Sequence, residues 1–219
     1  MFTIRGLEFS GFPGRDYQSG NLQQLHYRER VEWLRRRFEM VFVGPFRALV
    51  HLEHEQYVWL CVVSLLCAAV EGLAQFEYGG DGNRQKFIKF VEQYFPAFKQ
   101  YHFVLYDPHP HDPAPQATTP AEHLHKYFRS GLTHSLVIGW GGLLHREDGA
   151  PDYLFEATQG VGGEKALGIA PRELVQDFLT AVGDFFNALE QREPPARKTR
   201  LFDARFTRLF LVKAAPPLP

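Results

Sequence analysis

The sequence contains very little cysteine: Cys61 and Cys67 are the two cysteines among 219 residues. They lie six residues apart in one apolar run that we expect to be helical, where they would be too far apart to form a disulfide. We therefore predict that both are reduced residues of the core. The first residues also lack the basic and then apolar pattern of a secretory signal peptide. Both absences favour a cytoplasmic protein.

The chain also lacks a long hydrophobic run and an excess of charge of one sign. Its longest apolar run, from Tyr57 to Val70, has Ser64 as its only polar member. This run is shorter than the roughly twenty residues that cross a membrane, so we expect a buried helix and no membrane contact. The net charge is −1, which excludes nucleic-acid binding through bulk positive charge. Any RNA contact must therefore use local patches.

Patterns for nucleotide and metal binding are missing as well. The Gly-rich residues 159–163 lack the Lys and Ser or Thr that complete a phosphate-binding loop. His51 and His54 are three residues apart, which does not match the zinc-protease pattern H-E-x-x-H. A Pro-rich loop holds three more potential ligands, His109, His111 and Asp112. We predict no cofactor and no metal, with a metal-dependent hydrolase built on that loop as a distant alternative.

Aromatic side chains, in contrast, are abundant: they make up 15% of the chain, which has 20 phenylalanines. This content favours thick packing between helices, or a large exposed surface for a partner. Apolar residues recur at three- and four-residue steps in several segments, which predicts a mainly α-helical bundle. The predicted central helix begins after Gly44-Pro45 and runs from Phe46 to about Phe76.

After residue 134 the apolar residues no longer recur at helical spacing, which predicts strands within this bundle. Short β-favouring runs at residues 135–144, 153–158 and 166–170 predict a small β-hairpin or three-stranded sheet, inserted at about residues 135–170. We therefore divide the chain into three parts. These are an N-terminal loop with a short strand (1–20), the helical bundle (21–193), and a basic C-terminal arm with a Pro-rich tail (194–219).

The stretch from Thr119 to Leu136 carries the most chemistry. It opens with Thr119, Pro120 and Glu122, a strong helix start in which Thr and Glu cap each other. An apolar stripe follows, and beside it lie three polar residues, Arg129, Ser130 and His134. His123 and His125 add further titratable groups near this stretch, and we expect that a second proton donor could come from them.

Arg129 and His134 together are suited to cleaving RNA without a metal. Arg129 can hold a phosphate by a two-pronged, charge-assisted hydrogen bond, and His134 can pass a proton at physiological pH. Ser130 would add a hydrogen bond. On a regular helix, Arg129 and His134 are displaced by about 140° around the axis. They would converge only through a break, for which Gly131 is suited, or through a partner subunit.

The pattern of Arg129, Gly131-Leu132 and His134 resembles the R-x4-6-H signature of the HEPN superfamily. These helical bundles include metal-independent ribonucleases of bacterial toxin and phage-defence systems. The resemblance implies an all-helical core, a homodimer that joins two motifs in one cleft, and Arg and His as the catalytic pair. It also implies that Glu71 of the central helix pairs with Arg129. An antitoxin or regulatory protein is then a possible partner, although Leu136 stands where the antitoxin-targeted members have Tyr.

Simpler interpretations remain open. Arg47 and His54 satisfy the same spacing, and Arg129 and His134 are also compatible with a surface salt bridge and a helix-end histidine. A non-catalytic HEPN-like module that binds a partner protein or nucleic acid is the alternative function. Arginines of the first helix and of the C-terminal arm are candidate RNA contacts or solvated surface charges: Arg35, Arg36, Arg37, Arg205 and Arg208.

Overall fold

The computed structural model describes residues 22–50, 58–81, 83–100, 119–132, 138, 142–144, 153–159, 164–192 and 196–211. Within these residues the chain is mainly helical with one small sheet, which confirms the predicted fold class at that level. The predicted N-terminal loop and short strand lie outside the described residues.

The helical segments follow one another along the chain, and some contain a π-helical stretch. Their bounds are α1 (Tyr27–Phe38), π1 (Glu39–Val43), α2 (Gly44–Val50), α3 (Val58–Tyr78), α4 (Arg84–Tyr94), α5 (Pro96–Gln100), α6 (Pro120–His123), π2 (Leu124–Ser130), α7 (Pro171–Glu190), α8 (Arg197–Phe206) and π3 (Thr207–Leu211). The strands are β1 (Gly142–Leu144), β2 (Leu154–Gln159) and β3 (Glu164–Ile169).

Helix α3 is the centre of the bundle, as the sequence predicts. It contacts α4, α7, α8 and π2, and 11 of its 21 residues are buried. It is the one described helix that is long and apolar enough to cross a membrane, and half of its most apolar window is buried in the fold. A helix packed on several sides has the same apolar composition.

Phenylalanine supplies most of the bulk between the helices. The largest fully buried side chains include ten phenylalanines, spread over α2, α4, π2, α7, α8 and the residue after α4. Each buried ring contributes roughly 1.5–3 kcal/mol through removal of apolar surface from water. Cys67 is buried and Cys61 is exposed, and both thiols are free. The prediction of a core position is therefore wrong for Cys61, which lies on the outward face of α3.

Helix α2 begins at Gly44-Pro45, as predicted, but these residues do not interrupt the helical backbone. Gly44 is helical, with φ −59° and ψ −52°, and π1 leads directly into α2. In an α-helix, the ring of Pro45 would clash with the carbonyl group four residues back, and its missing N–H would cost a hydrogen bond. The wider turn of a π-helix immediately before Pro45 relieves this conflict.

Other helix boundaries follow from local signals in the sequence. Asn83 caps α4 by accepting a hydrogen bond from the N–H of Lys86 at 2.9 Å, and Pro96 ends that helix and begins α5. The turn before α4 uses Gly79 and Gly80 at positive φ, 73° and 68°, which glycine adopts without strain. Pro171 opens α7 at its first turn.

The sheet is a three-stranded one with strand order β1-β3-β2. Strands β2 and β3 pair antiparallel, with Leu154 opposite Ile169, and β1 pairs parallel to β3. This arrangement confirms the three-stranded form of the predicted insertion. Strand β1 also contacts π2, because Gly142 lies against the ring of Phe128 where a side chain would collide with it. The sheet thus supports the segment that carries Arg129.

Residues 197–211 of the predicted C-terminal arm form a helix that belongs to the bundle. Phe202 and Phe206 are fully buried and pack against α1 and α3. Beside them, the carboxylate of Glu77 is completely buried and accepts hydrogen bonds from Arg192 at 2.7 and 3.1 Å and from Lys198. This cluster ties the end of α3 to the end of α7 and the start of α8.

Replacing Glu77 should therefore be costly. In Glu77→Gln the buried Arg192, whose side chain is 13% exposed, loses its counter-charge, and we expect the free energy of unfolding to fall by about 3 kcal/mol or more. Urea denaturation followed by circular dichroism measures this change. The matched control is Glu39→Gln, which removes an exposed pair with Arg47 and should cost less than about 1 kcal/mol. Equal losses in the two variants would contradict the assignment.

Candidate functional site

Arg129 and Glu71 form an ion pair between π2 and the middle of α3. Nε and Nη2 of Arg129 both donate to Oε2 of Glu71, at 3.1 and 2.8 Å. The two side chains are 24% and 25% exposed, so solvent reaches the pair from one side. The predicted contact between these residues is thereby confirmed. It fixes the plane of the guanidinium group and leaves Nη1 outside the pair.

The local sequence explains how π2 presents Arg129. Thr119 Oγ1 accepts from the N–H of Glu122 at 3.2 Å, and Glu122 Oε2 accepts from the N–H of Thr119 at 3.3 Å. This is the predicted capping box, and it sets where the helix begins. Leu124 and Phe128 are fully buried, which holds one face of π2 in the core. Arg129, the next residue, then lies at the edge of the core.

The predicted break at Gly131 is absent. Gly131 has φ −59° and ψ −53°, so the helical backbone continues past Ser130. Ser130 is the last residue of π2 and is partly exposed. The deviation from a regular helix instead lies upstream, in the π-helical turn itself. His134 lies outside the described residues.

The thiol of Cys67 lies beneath the ion pair, one helical turn before Glu71 on α3. Burial raises the pKa of Cys67 to about 12, and the opposite charges of Arg129 and Glu71 act on it in opposite directions. The residue is therefore a neutral thiol at physiological pH. Since the thiolate is the reactive form, Cys67 is a packing residue and not a nucleophile.

A second ion pair stands close to the first. Nη2 of Arg84 donates to Oε1 of Glu122 at 3.1 Å, which links the first turn of α4 to α6. In the sequence, Glu122 is recognisable as part of a helix cap, whereas no local pattern marks Arg84. The pairing is tertiary, because the two residues are 38 positions apart, and no spacing rule points to it.

His125 lies near both ion pairs. It is one turn before Arg129 on π2, and its ring meets the ring of Phe87 edge-on, with centroids 5.2 Å apart. The pKa of His125 is lowered to about 4, mainly by partial burial and further by the cations Arg129 and Arg84, whereas Glu71 opposes them. The imidazole is therefore neutral at physiological pH and can accept a proton.

The five arginines predicted as RNA contacts have partners within the chain. Arg35 contacts Asn187 and Glu190 at 3.1 Å each, and Arg36 contacts Glu32 at 2.7 Å. The remaining three are held elsewhere: Arg37 lies over the rings of Trp33 and Phe210, and Arg205 and Arg208 contact Asp81 at 3.3 and 3.1 Å. The described contacts join none of the five to Glu71 or Arg129.

Metal-binding geometry is not found in the part of the chain that the structure describes, where no three His, Cys, Asp or Glu side chains cluster. The loop residues His109, His111 and Asp112 lie outside that part, as do His51 and His54. The site is therefore characterised by two arginines, two carboxylates and one imidazole.

In comparisons with known proteins, no family model, curated protein or solved structure matches this chain.

The pKa of His125 predicts an acid-sensitive fold. Because the folded pKa of about 4 lies below the ordinary 6.5, the unfolded chain takes up a proton first as the pH falls. The contribution of this residue to stability is complete above pH 6.5 and is lost as the pH falls toward 4. We expect the free energy of unfolding, measured in urea, to fall less steeply over this range in His125→Gln. Parallel curves for the two proteins would contradict this.

Proposed function

We propose that the chain is a HEPN-like, metal-independent endoribonuclease of a bacterial stress or phage-defence system. Arg129 and His134 are the catalytic pair, Ser130 adds a hydrogen bond, and Glu71 orients Arg129. The proposed enzyme acts in the cytoplasm as a homodimer whose two motifs share one cleft, and an antitoxin or regulatory protein controls it. The observation that supports this function best is the ion pair of Arg129 with Glu71 at a half-buried edge of a helical bundle.

The chemistry follows from the properties of these groups. A phosphodiester accepts hydrogen bonds from the guanidinium of Arg129, which offsets the charge that gathers on the phosphorus oxygens in the transition state. His134 exchanges a proton with the attacking 2′-hydroxyl or with the leaving 5′-oxygen. Charge neutralisation and proton transfer are then both supplied by side chains. Glu71 does not contact the phosphate in this proposal; it acts through Arg129, because it prevents the guanidinium from rotating away from this position.

A non-catalytic interaction module is the second candidate, and four exposed apolar side chains favour it. They are Met40, Val41, Leu65 and Leu209, with 36–45% of their surface exposed. Leu65 lies on the same outward face of α3 as Cys61. Apolar side chains on an exposed helix face, such as Cys61 and Leu65, are available to pack against another protein.

The test of the proposed function is cleavage of single-stranded RNA in the presence of a chelator. We expect wild-type protein to cleave, and Arg129→Gln to lose about 10²–10³-fold in rate, because one preorganised cation is removed from the transition state. His134→Gln should lose cleavage as well. Product formation is followed on denaturing gels, and thermal unfolding shows whether each variant stays folded.

Arg47→Gln is the matched control, because Arg47 belongs to the competing motif match and makes an exposed pair with Glu39. It should cleave at the wild-type rate. If Arg47→Gln loses cleavage and Arg129→Gln retains it, the site has been placed at the wrong motif. RNA binding without products under any ionic condition would favour the interaction module.

A further inference from the structure

His125 is near enough to Arg129, Glu71 and Arg84 for their charges to act on its imidazole. Arg129 of π2 pairs with Glu71 of α3 at 2.8 Å, and Arg84 of α4 pairs with Glu122 of α6 at 3.1 Å. His125 is one turn from Arg129 along π2 and is three residues after Glu122, so it shares the side of the segment that faces both. The four elements thereby bring two cations and one imidazole to a single edge of the bundle.

We propose that Arg84, His125 and Arg129 bind one phosphodiester of the RNA, and that His125 is the base that removes the proton from the 2′-hydroxyl. This assignment rests on the proposed function and divides its proton transfers between two histidines. As His125 takes the proton, the 2′-oxygen bonds to phosphorus and the bond from phosphorus to the 5′-oxygen breaks. The leaving oxygen receives a proton from His134, and the products are a 2′,3′-cyclic phosphate and a 5′-hydroxyl.

Both arginines have donors to offer a phosphate. The bonds from Arg129 to Glu71 use Nε and Nη2 and converge on one carboxylate oxygen, so this pair does not use Nη1. The hydrogen bond from Arg84 to Glu122 uses Nη2, and the Arg84 side chain is 40% exposed. The carboxylates hold the guanidinium groups in place, as expected for a preorganised anion site.

The surroundings of His125 suit a base. Phe87, which is almost fully buried, packs edge-on against the imidazole and restricts its ring. Burial, and to a smaller extent the charges of Arg129 and Arg84, lowers the pKa of the imidazole, so it is neutral at physiological pH. A bound phosphate brings negative charge that offsets the contribution of the two cations, and the pKa of His125 should then rise. A base is most effective when its pKa is near the working pH, so substrate binding itself would activate the residue.

The experiment compares His125→Gln and Arg84→Gln with wild type. Cleavage is measured on single-stranded RNA with a chelator, and binding on single-stranded DNA of the same sequence, which has no 2′-hydroxyl to react. We expect His125→Gln to lose about 10²-fold or more in cleavage rate, and to weaken DNA binding less than Arg84→Gln does, because the imidazole is neutral in the free protein. Arg84→Gln should weaken DNA binding about ten-fold. His26→Gln is the control for loss of an imidazole, because His26 is exposed and precedes α1.

Proton NMR of the histidine ring gives a readout that does not depend on cleavage. The resonance of His125 is assigned by its loss in His125→Gln, and its pKa is measured with and without saturating DNA. We expect a low pKa in the free protein, a rise on DNA binding, and a rise in Arg84→Gln without DNA. A pKa that DNA does not change would overturn the phosphate site.

The outcomes also separate this inference from the proposed function. If His125→Gln cleaves like wild type while Arg129→Gln does not, the endoribonuclease stands and His125 is not its base. If wild-type protein cleaves no RNA, the proposed function and the role of His125 as base both fall. The NMR titration then still decides whether the three side chains bind a phosphodiester.

Discussion

The burial of two carboxylates on an otherwise apolar helix constrains the whole bundle. Helix α3 is packed by neighbours on several sides, yet it carries Glu71 partly buried and Glu77 completely buried. An uncompensated charge in such a place is very costly, so each carboxylate requires a cation from another element. Arg129 meets Glu71 from π2, and Arg192 and Lys198 meet Glu77 from beyond α7 and from α8. The positions of three segments relative to α3 are thereby tied to two side chains.

The sequence predicted those parts of the fold whose causes are local. Helix α6 has a reciprocal cap at Thr119, so its start was predicted, and the start of α7 is marked in the same local way by a Pro at its first turn. The strands were recognisable from a change of period. The three π-helical stretches were not predicted, because apolar residues at three- and four-residue steps fit an α-helix and a short π turn about equally well.

Only those residues of the candidate site that belong to a sequence motif, or that the motif implies, could be predicted. Arg129 and its partner Glu71 came from the resemblance to a known pattern, and the structure shows their contact. Arg84 could not be found in this way, because its relation to Glu122 and His125 exists only once α4 packs beside π2. Similarly, arginines that look like a basic surface in the sequence are held by Glu190, Asn187 and Asp81 in the fold. The number of arginines in the sequence is therefore a poor guide to how many of them lie near His125.

The π-helical turn of Leu124–Ser130 also changes what a distance along the sequence means. In an α-helix about 3.6 residues complete a turn, whereas a π-helix bonds each N–H to the carbonyl five residues back and needs more residues per turn. Two side chains five apart thus project in more similar directions across π2 than they would on an ordinary helix. The number of residues between two motif positions therefore gives the angle between their side chains around the helix axis only when the number of residues per turn is known. A signature with a variable number of residues between its two members can therefore describe one spatial arrangement. The number of residues per helical turn then differs to match the number of intervening residues.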